Sequence, residues 1–101
     1  MRIEKAFITG CDKETEWMLQ WFVENYRKYN DIPLIFANFG VSEDMDKWVR
    51  KSGKFFGVMD ISHKEEKGWF KKPYCMLNTP SINTFWIDTD CEILGNISNL
   101  F

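Results

Sequence analysis

Two carboxylates two residues apart, Asp88 and Asp90, follow the apolar run Phe85-Trp86-Ile87. In an extended chain, residues i and i+2 face the same side and lie roughly 6.5–7 Å apart. Such a pair suits one divalent cation, or a cation and a hydroxyl. Carboxylate, water and phosphate oxygens are the ligands that Mg²⁺ and Mn²⁺ prefer. An Asp-x-Asp is also ordinary turn or helix-cap chemistry, because Asp is common in both. Its place directly after a buried strand favours the metal reading here. A second group of polar residues follows another apolar run: Thr9-Gly10-Cys11-Asp12 after Ala6-Phe7-Ile8. Gly10 permits close approach of backbone to a ligand. Asp12 is either a ligand contact or a helix cap. Lys72 is either a cation for phosphates or a solvated surface charge.

The elements that must position these residues alternate between strand and helix. Lys5 to Thr9 reads as a first strand, broken by Gly10. Asp12 can cap a helix whose first turn holds Glu14 and Glu16, where the helix dipole favours acids. Trp17, Met18, Trp21, Phe22, Tyr26 and Tyr29 recur at helical spacing, and Asn30 and Pro33 end that helix. Leu34 to Phe39 is a second strand. Ser42 caps a second helix with the stripe Met45, Trp48 and Val49, stopped at Ser52-Gly53. Phe55 to Met59 is a third strand, and Asp60 to Gly68 a polar loop containing His63. Trp69 to Asn78 is a third helix, with Pro73 tolerated only near its start. Thr84 to Ile87 is a fourth strand. This order argues for a mostly parallel four-stranded sheet with flanking helices, built from βαβ crossovers. Ligands then bind beyond the carboxyl ends of the strands, where the strand order reverses. Both polar groups stand at such ends.

The 101 residues fit one domain, and 45% are apolar, including nine Phe and five Trp. That composition excludes disorder. A net charge of −2 and a pI near 5.4, with no basic stripe, argue against a nucleic-acid partner. The three cysteines, Cys11, Cys75 and Cys91, show no C-x-x-C spacing, so neither a disulfide framework nor a cysteine zinc site is expected. Reduced thiols, no signal-peptide pattern and no long apolar run lead to the expectation of a cytoplasmic protein without a transmembrane segment. Cys11 and Cys91 are expected as small buried fillers beside the site.

The segment Trp86-Ile87-Asp88-Thr89-Asp90-Cys91-Glu92-Ile93, followed by Asn99-Leu100-Phe101, resembles glycosyltransferases of the GT-A fold, the nucleotide-diphospho-sugar transferase superfamily. Gly68-Trp69-Phe70-Lys71-Lys72-Pro73 is similar to the segment that precedes the Asp-x-Asp in many of them. Ala6-Phe7-Ile8-Thr9-Gly10-Cys11-Asp12 is similar to their first strand and nucleotide loop. The resemblance implies a Rossmann-like GT-A nucleotide-binding half that binds a UDP-sugar donor and transfers the sugar to an acceptor it does not identify. It implies that Asp90, assisted by Asp88, ligates Mn²⁺ or Mg²⁺ on the donor diphosphate. It implies that Thr9, Gly10, Cys11 and Asp12 line the uridine, that Asp88 and Thr89 face the ribose and metal, and that Lys72 approaches phosphate or sugar. Trp69 reads as core.

Only eleven residues follow Asp90, whereas GT-A enzymes continue well beyond it and draw acceptor contacts, a base and often a His ligand from that region. The expectation is therefore a minimal or truncated member. The competing reading is a non-catalytic nucleotide-sugar-binding module, or a remnant with at most slow donor hydrolysis. A dehalogenase-like phosphatase needs a later Lys and acidic pair. A receiver domain needs its acidic pair after the first strand. The fourth strand, without later neighbours, leaves an open edge, so a homodimer is expected, with the partner walling off the metal site.

Overall fold

The computed structural model describes residues 3–62 and 68–101. β1 (Ile3–Cys11), β2 (Leu34–Asn38), β3 (Gly57–Asp60) and β4 (Ser81–Trp86) form one all-parallel sheet in the order β3-β2-β1-β4. α1 (Leu19–Tyr29) and α2 (Glu43–Ser52) connect the first three strands, and α3 (Gly68–Asn78) precedes β4. The architecture is the expected α/β, Rossmann-like arrangement. From β1 the chain steps outward to β2 and β3, then returns past β1 to lay down β4. Strand order therefore reverses between β1 and β4.

That reversal sorts the helices. One core joins Phe7, Leu34 and Phe36 of the sheet to Leu19, Phe22, Val23 and Tyr26 of α1 and Val49 of α2. The other joins Ala6, Ile8, Ile35 and Ala37 to Cys75 of α3. Alternate residues of β1 and β2 thus serve opposite layers, and both strands are buried through most of their length. Right-handed crossovers require this, since a change in strand direction moves the helix to the other face.

Local signals set the element ends. Ser42 Oγ accepts from Met45 N at 3.2 Å, and Gly53 ends α2 at φ 68°, a left-handed position that Gly adopts without cost. Three expectations change. The buried stripe of α1 is Leu19, Phe22, Val23 and Tyr26, whereas Trp17, Trp21 and Tyr29 are exposed. Trp17 precedes the helix in a 3-10 turn (Glu16–Met18), and Trp21 falls roughly opposite the stripe at 100° per residue. Asp12 caps a turn rather than α1: its Oδ1 accepts from Glu14 N, Thr15 N and Thr15 Oγ1 at 3.0–3.1 Å. Pro73 lies in the interior of α3, because the helix begins at Gly68. It removes one helical hydrogen bond.

After β4 the chain turns and crosses to α1. Asn25 brackets the Ile93 backbone: its amide donates to Ile93 O at 2.7 Å and its carbonyl accepts from Ile93 N. Asn30 likewise donates to Gly95 O at 3.1 Å and accepts from Ile97 N at 2.8 Å. Phe101 then packs on Phe7 and Phe85, with ring centroids 5.0 and 5.1 Å away. No helix among the described residues is long and apolar enough to cross a membrane.

Candidate functional site

The crevice at the reversal between β1 and β4 is the candidate site. β1 ends at Cys11, and β4 gives its last sheet bond from Ile87 N to Ile8 O at 2.9 Å. The chain then folds into a turn closed by Cys91 N donating to Asp88 O at 3.1 Å. The two carboxylates therefore sit in a turn and not in extended chain, so the simple strand spacing does not apply to them. Both still line one cleft of about 270 Å³, together with Gly10, Cys11, Asp12, Lys72 and Thr89. Seven of the eight residues singled out in the sequence meet there. Thr9 is the exception. It is fully buried in β1, and its Oγ1 has no hydrogen-bond partner among the described residues. His63 and the side chain of Trp69 lie outside the described residues.

Asp88 is the most tightly held group. Its Oδ1 accepts from Lys72 Nζ at 2.6 Å and from Trp86 Nε1 at 2.8 Å. The Lys72 hydrogen bond is the main cause that lowers its pKa; partial burial opposes it, and the Trp86 N–H and the Lys72 charge add to the lowering. Lys72 Nζ also lies 5.3 Å from the centroid of the Trp86 ring, an attractive position for a cation. Trp86 in turn stacks on Phe39 at 5.8 Å and 7° between planes. Its indole closes over Gly10: a Cβ there would lie 3.0 Å from Trp86 and 2.7 Å from the Ala37 carbonyl oxygen. Gly10 is thus required by the packing of β1 against β2 and Trp86, independently of any ligand.

Asp90 is exposed, and among the described residues it accepts only a weak contact from Cys91 Sγ at 4.0 Å. Thr89 is buried between the two acids. Asp12 spends one oxygen on its own turn. Cys11 forms part of the floor; burial, then the charges of Glu16 and Asp12, push its thiol to about 12, so it stays protonated at neutral pH and inert. Cys91 is exposed, contrary to the expectation of a buried filler. Glu16 ties the loop after β1 to α2, accepting from Ser42 N and Ser42 Oγ at 2.6 Å each.

No family model matches the chain, and no curated protein matches it. Among the described residues no group of three or more His, Cys, Asp or Glu side chains is gathered to hold a metal ion. What the cleft offers is three acids beyond strand ends, Asp12, Asp88 and Asp90, and the Lys72 ammonium from α3. Trp86 and Phe39 were not singled out from the sequence. The signal that could have found Trp86 is its place at the end of β4, two residues before Asp88, to which its indole donates.

Proposed function

We propose that this cleft binds the diphosphate of a UDP-sugar together with Mn²⁺ or Mg²⁺, and that the chain is the donor-binding half of a GT-A-type glycosyltransferase. The observation that carries the reading is the convergence of Gly10, Asp12, Lys72, Asp88, Thr89 and Asp90 at the reversal of strand order. The donor set suits such an ion. Asp90 is uncommitted to any strong hydrogen bond, and Asp88 keeps Oδ2 clear of hydrogen bonds among the described residues. Two anionic ligands leave the remaining positions to phosphate and water, which is the habit of Mg²⁺. A bound cation would neutralise charge on a diphosphate leaving group.

The chain's own residues supply the rest. Trp86 fixes the Asp88 carboxylate from one side. Lys72 carries three ammonium protons and gives one to Asp88, so the others can meet phosphate oxygens. A cleft of about 270 Å³ lies just below the usual range for small-molecule pockets, about 300–1,000 Å³. That size favours a second reading, in which the chain binds the nucleotide sugar without transferring it.

Calorimetry tests the proposal. UDP is expected to bind more tightly with Mn²⁺ than with EDTA, and to outcompete GDP and ADP. Asp90→Asn should weaken Mn²⁺-dependent binding by about tenfold or more, since a charged contact contributes roughly 1.5–3 kcal/mol. Equal UDP affinity in EDTA and Mn²⁺ would overturn it. Product formation from UDP-sugars and mixed acceptors separates the enzyme from the binding module.

A further inference from the structure

Beyond Asp90, away from β1, the surface turns apolar. Trp17 is 76% exposed and Trp21 45% exposed. They stand four residues apart, in the 3-10 turn and the first turns of α1, a spacing that puts side chains on one face. With Met18 and Asp90 they line a hollow of about 370 Å³. Met18 and Asp90 line the Asp88–Asp90 cleft as well, so the two hollows share a wall. Neither indole belongs to the buried cores, and neither has a ring partner or hydrogen bond among the described residues. The fold does not use them, and adjacent exposed indoles of this size mark a binding surface.

The chemistry of the hollow selects its occupant. An apolar peptide or a second copy of this face would bury the Asp90 carboxylate against hydrocarbon, which is costly without a partner. A sugar ring avoids that cost. Its C–H faces carry slight positive charge and meet the negative faces of indoles. Its hydroxyls donate to a carboxylate. A broader hollow of about 500 Å³ on the outer side of α1 lacks this combination, being lined by Glu24, Arg27, Lys28 and Lys54 beside Trp21.

We propose that Trp17 and Trp21 form a stacking platform for a saccharide ring whose hydroxyls bond to Asp90. Taken as an acceptor subsite, the platform rests on the donor reading above. As a saccharide site it stands independently. Indole N–H resonances are followed by NMR while cellobiose, maltose and methyl glucosides are added, and UDP with Mn²⁺ is titrated separately. A saturable shift of the Trp17 and Trp21 signals is expected with at least one saccharide. Trp17→Ala and Trp21→Ala should each weaken it by about tenfold. Both side chains are exposed, and a dispersed amide spectrum verifies the fold of each variant. No shift with any of these sugars, or equal binding by folded variants, overturns the platform. Saccharide binding without UDP binding supports the platform and removes its acceptor role along with the donor reading. UDP binding without saccharide binding sinks the platform alone.

Discussion

Asp88 receives two donors on one oxygen, which makes its ionisation the most constrained in the cleft. Its pKa in the fold is lowered, chiefly by the Lys72 hydrogen bond. A lowered carboxyl contributes stability that is fully present above its unfolded pKa, near about 4, and is lost as pH falls through the folded value. The side chain is 52% exposed, so solvent screening keeps the contribution to the small scale of surface pairs. Asp88→Asn is therefore expected to cost a little stability at pH 7 and nothing at pH 2, with Lys72→Met behaving alike. Urea midpoints measured across that range check this. A difference from the parent that stays constant with pH would contradict it. At this scale the sequence exposed residue types better than residue surroundings. That Asp12, Asp88 and Asp90 would line one cleft was legible because they follow strand ends of an α/β sheet, whereas Lys72, on α3, came only from the resemblance. The exposure of Trp17 and Trp21 was not, since an aromatic side chain at helical spacing carries no mark of which face meets the sheet. The burial of Thr9 follows from its own strand alternation with Phe7 and Cys11.

Two asparagines on α1 organise the chain after the Asp-x-Asp turn. Asn25 and Asn30 each offer a side-chain amide to both a carbonyl and an N–H of the tail, as a neighbouring strand would. The tail lacks a strand partner, so these amides satisfy backbone groups that would otherwise be lost on burial of Ile93. Asn30→Ala removes the bonds to Gly95 O and Ile97 N, both part-buried, and is expected to cost about 1 kcal/mol. The loss should be local: the Ile97 amide exchanges faster with deuterium while amides of β1 and β2 keep their protection. Equal speeding of exchange in both places would show that the tail is integral to the sheet. In the sequence, Asn30 reads only as the end of a helix. Its partners lie 65 and 67 residues away, and no local pattern reports a contact at that range. Strand and helix order, in contrast, was readable throughout, because apolar runs, Ser42, Gly53 and the Pro positions act within a few residues. The boundaries moved where tertiary pairing decides them. β4 begins at Ser81 because Ile3 pairs there, and ends at Trp86, opposite Ile8, where its own chain leaves for the Asp88–Cys91 turn while β1 continues to Cys11 beside β2.

Among the described residues the sheet has an open side at β4, which pairs there only with β1. The tail does not close it: the clamps at Asn25 and Asn30 draw the chain to α1, and Phe101 covers only part of Phe85. Ile82 remains 62% exposed and Phe85 39% exposed along this edge. Unpaired strand backbone with apolar side chains is a template for another strand. The expected occupant is β4 of a second copy, paired antiparallel about a twofold axis, since an isologous contact closes after two chains. Light scattering should give a dimer mass at micromolar concentration, and Ile82→Lys should return a monomer. A parent chain that stays monomeric as concentration rises contradicts the dimer. The geometry also separates assembly from the cleft. Antiparallel pairing sends the carboxyl ends of the two β4 strands in opposite directions, so six residues of strand hold the clefts roughly 20 Å apart. In a dimer of that kind the partner would stand away from the other chain's Asp88 and Asp90. Each chain should bind one UDP without cooperativity, and the Ile82→Lys monomer should bind it with the affinity of the parent. Loss of UDP binding on dissociation, in a variant that remains folded, would instead place the partner at the cleft and require a different interface.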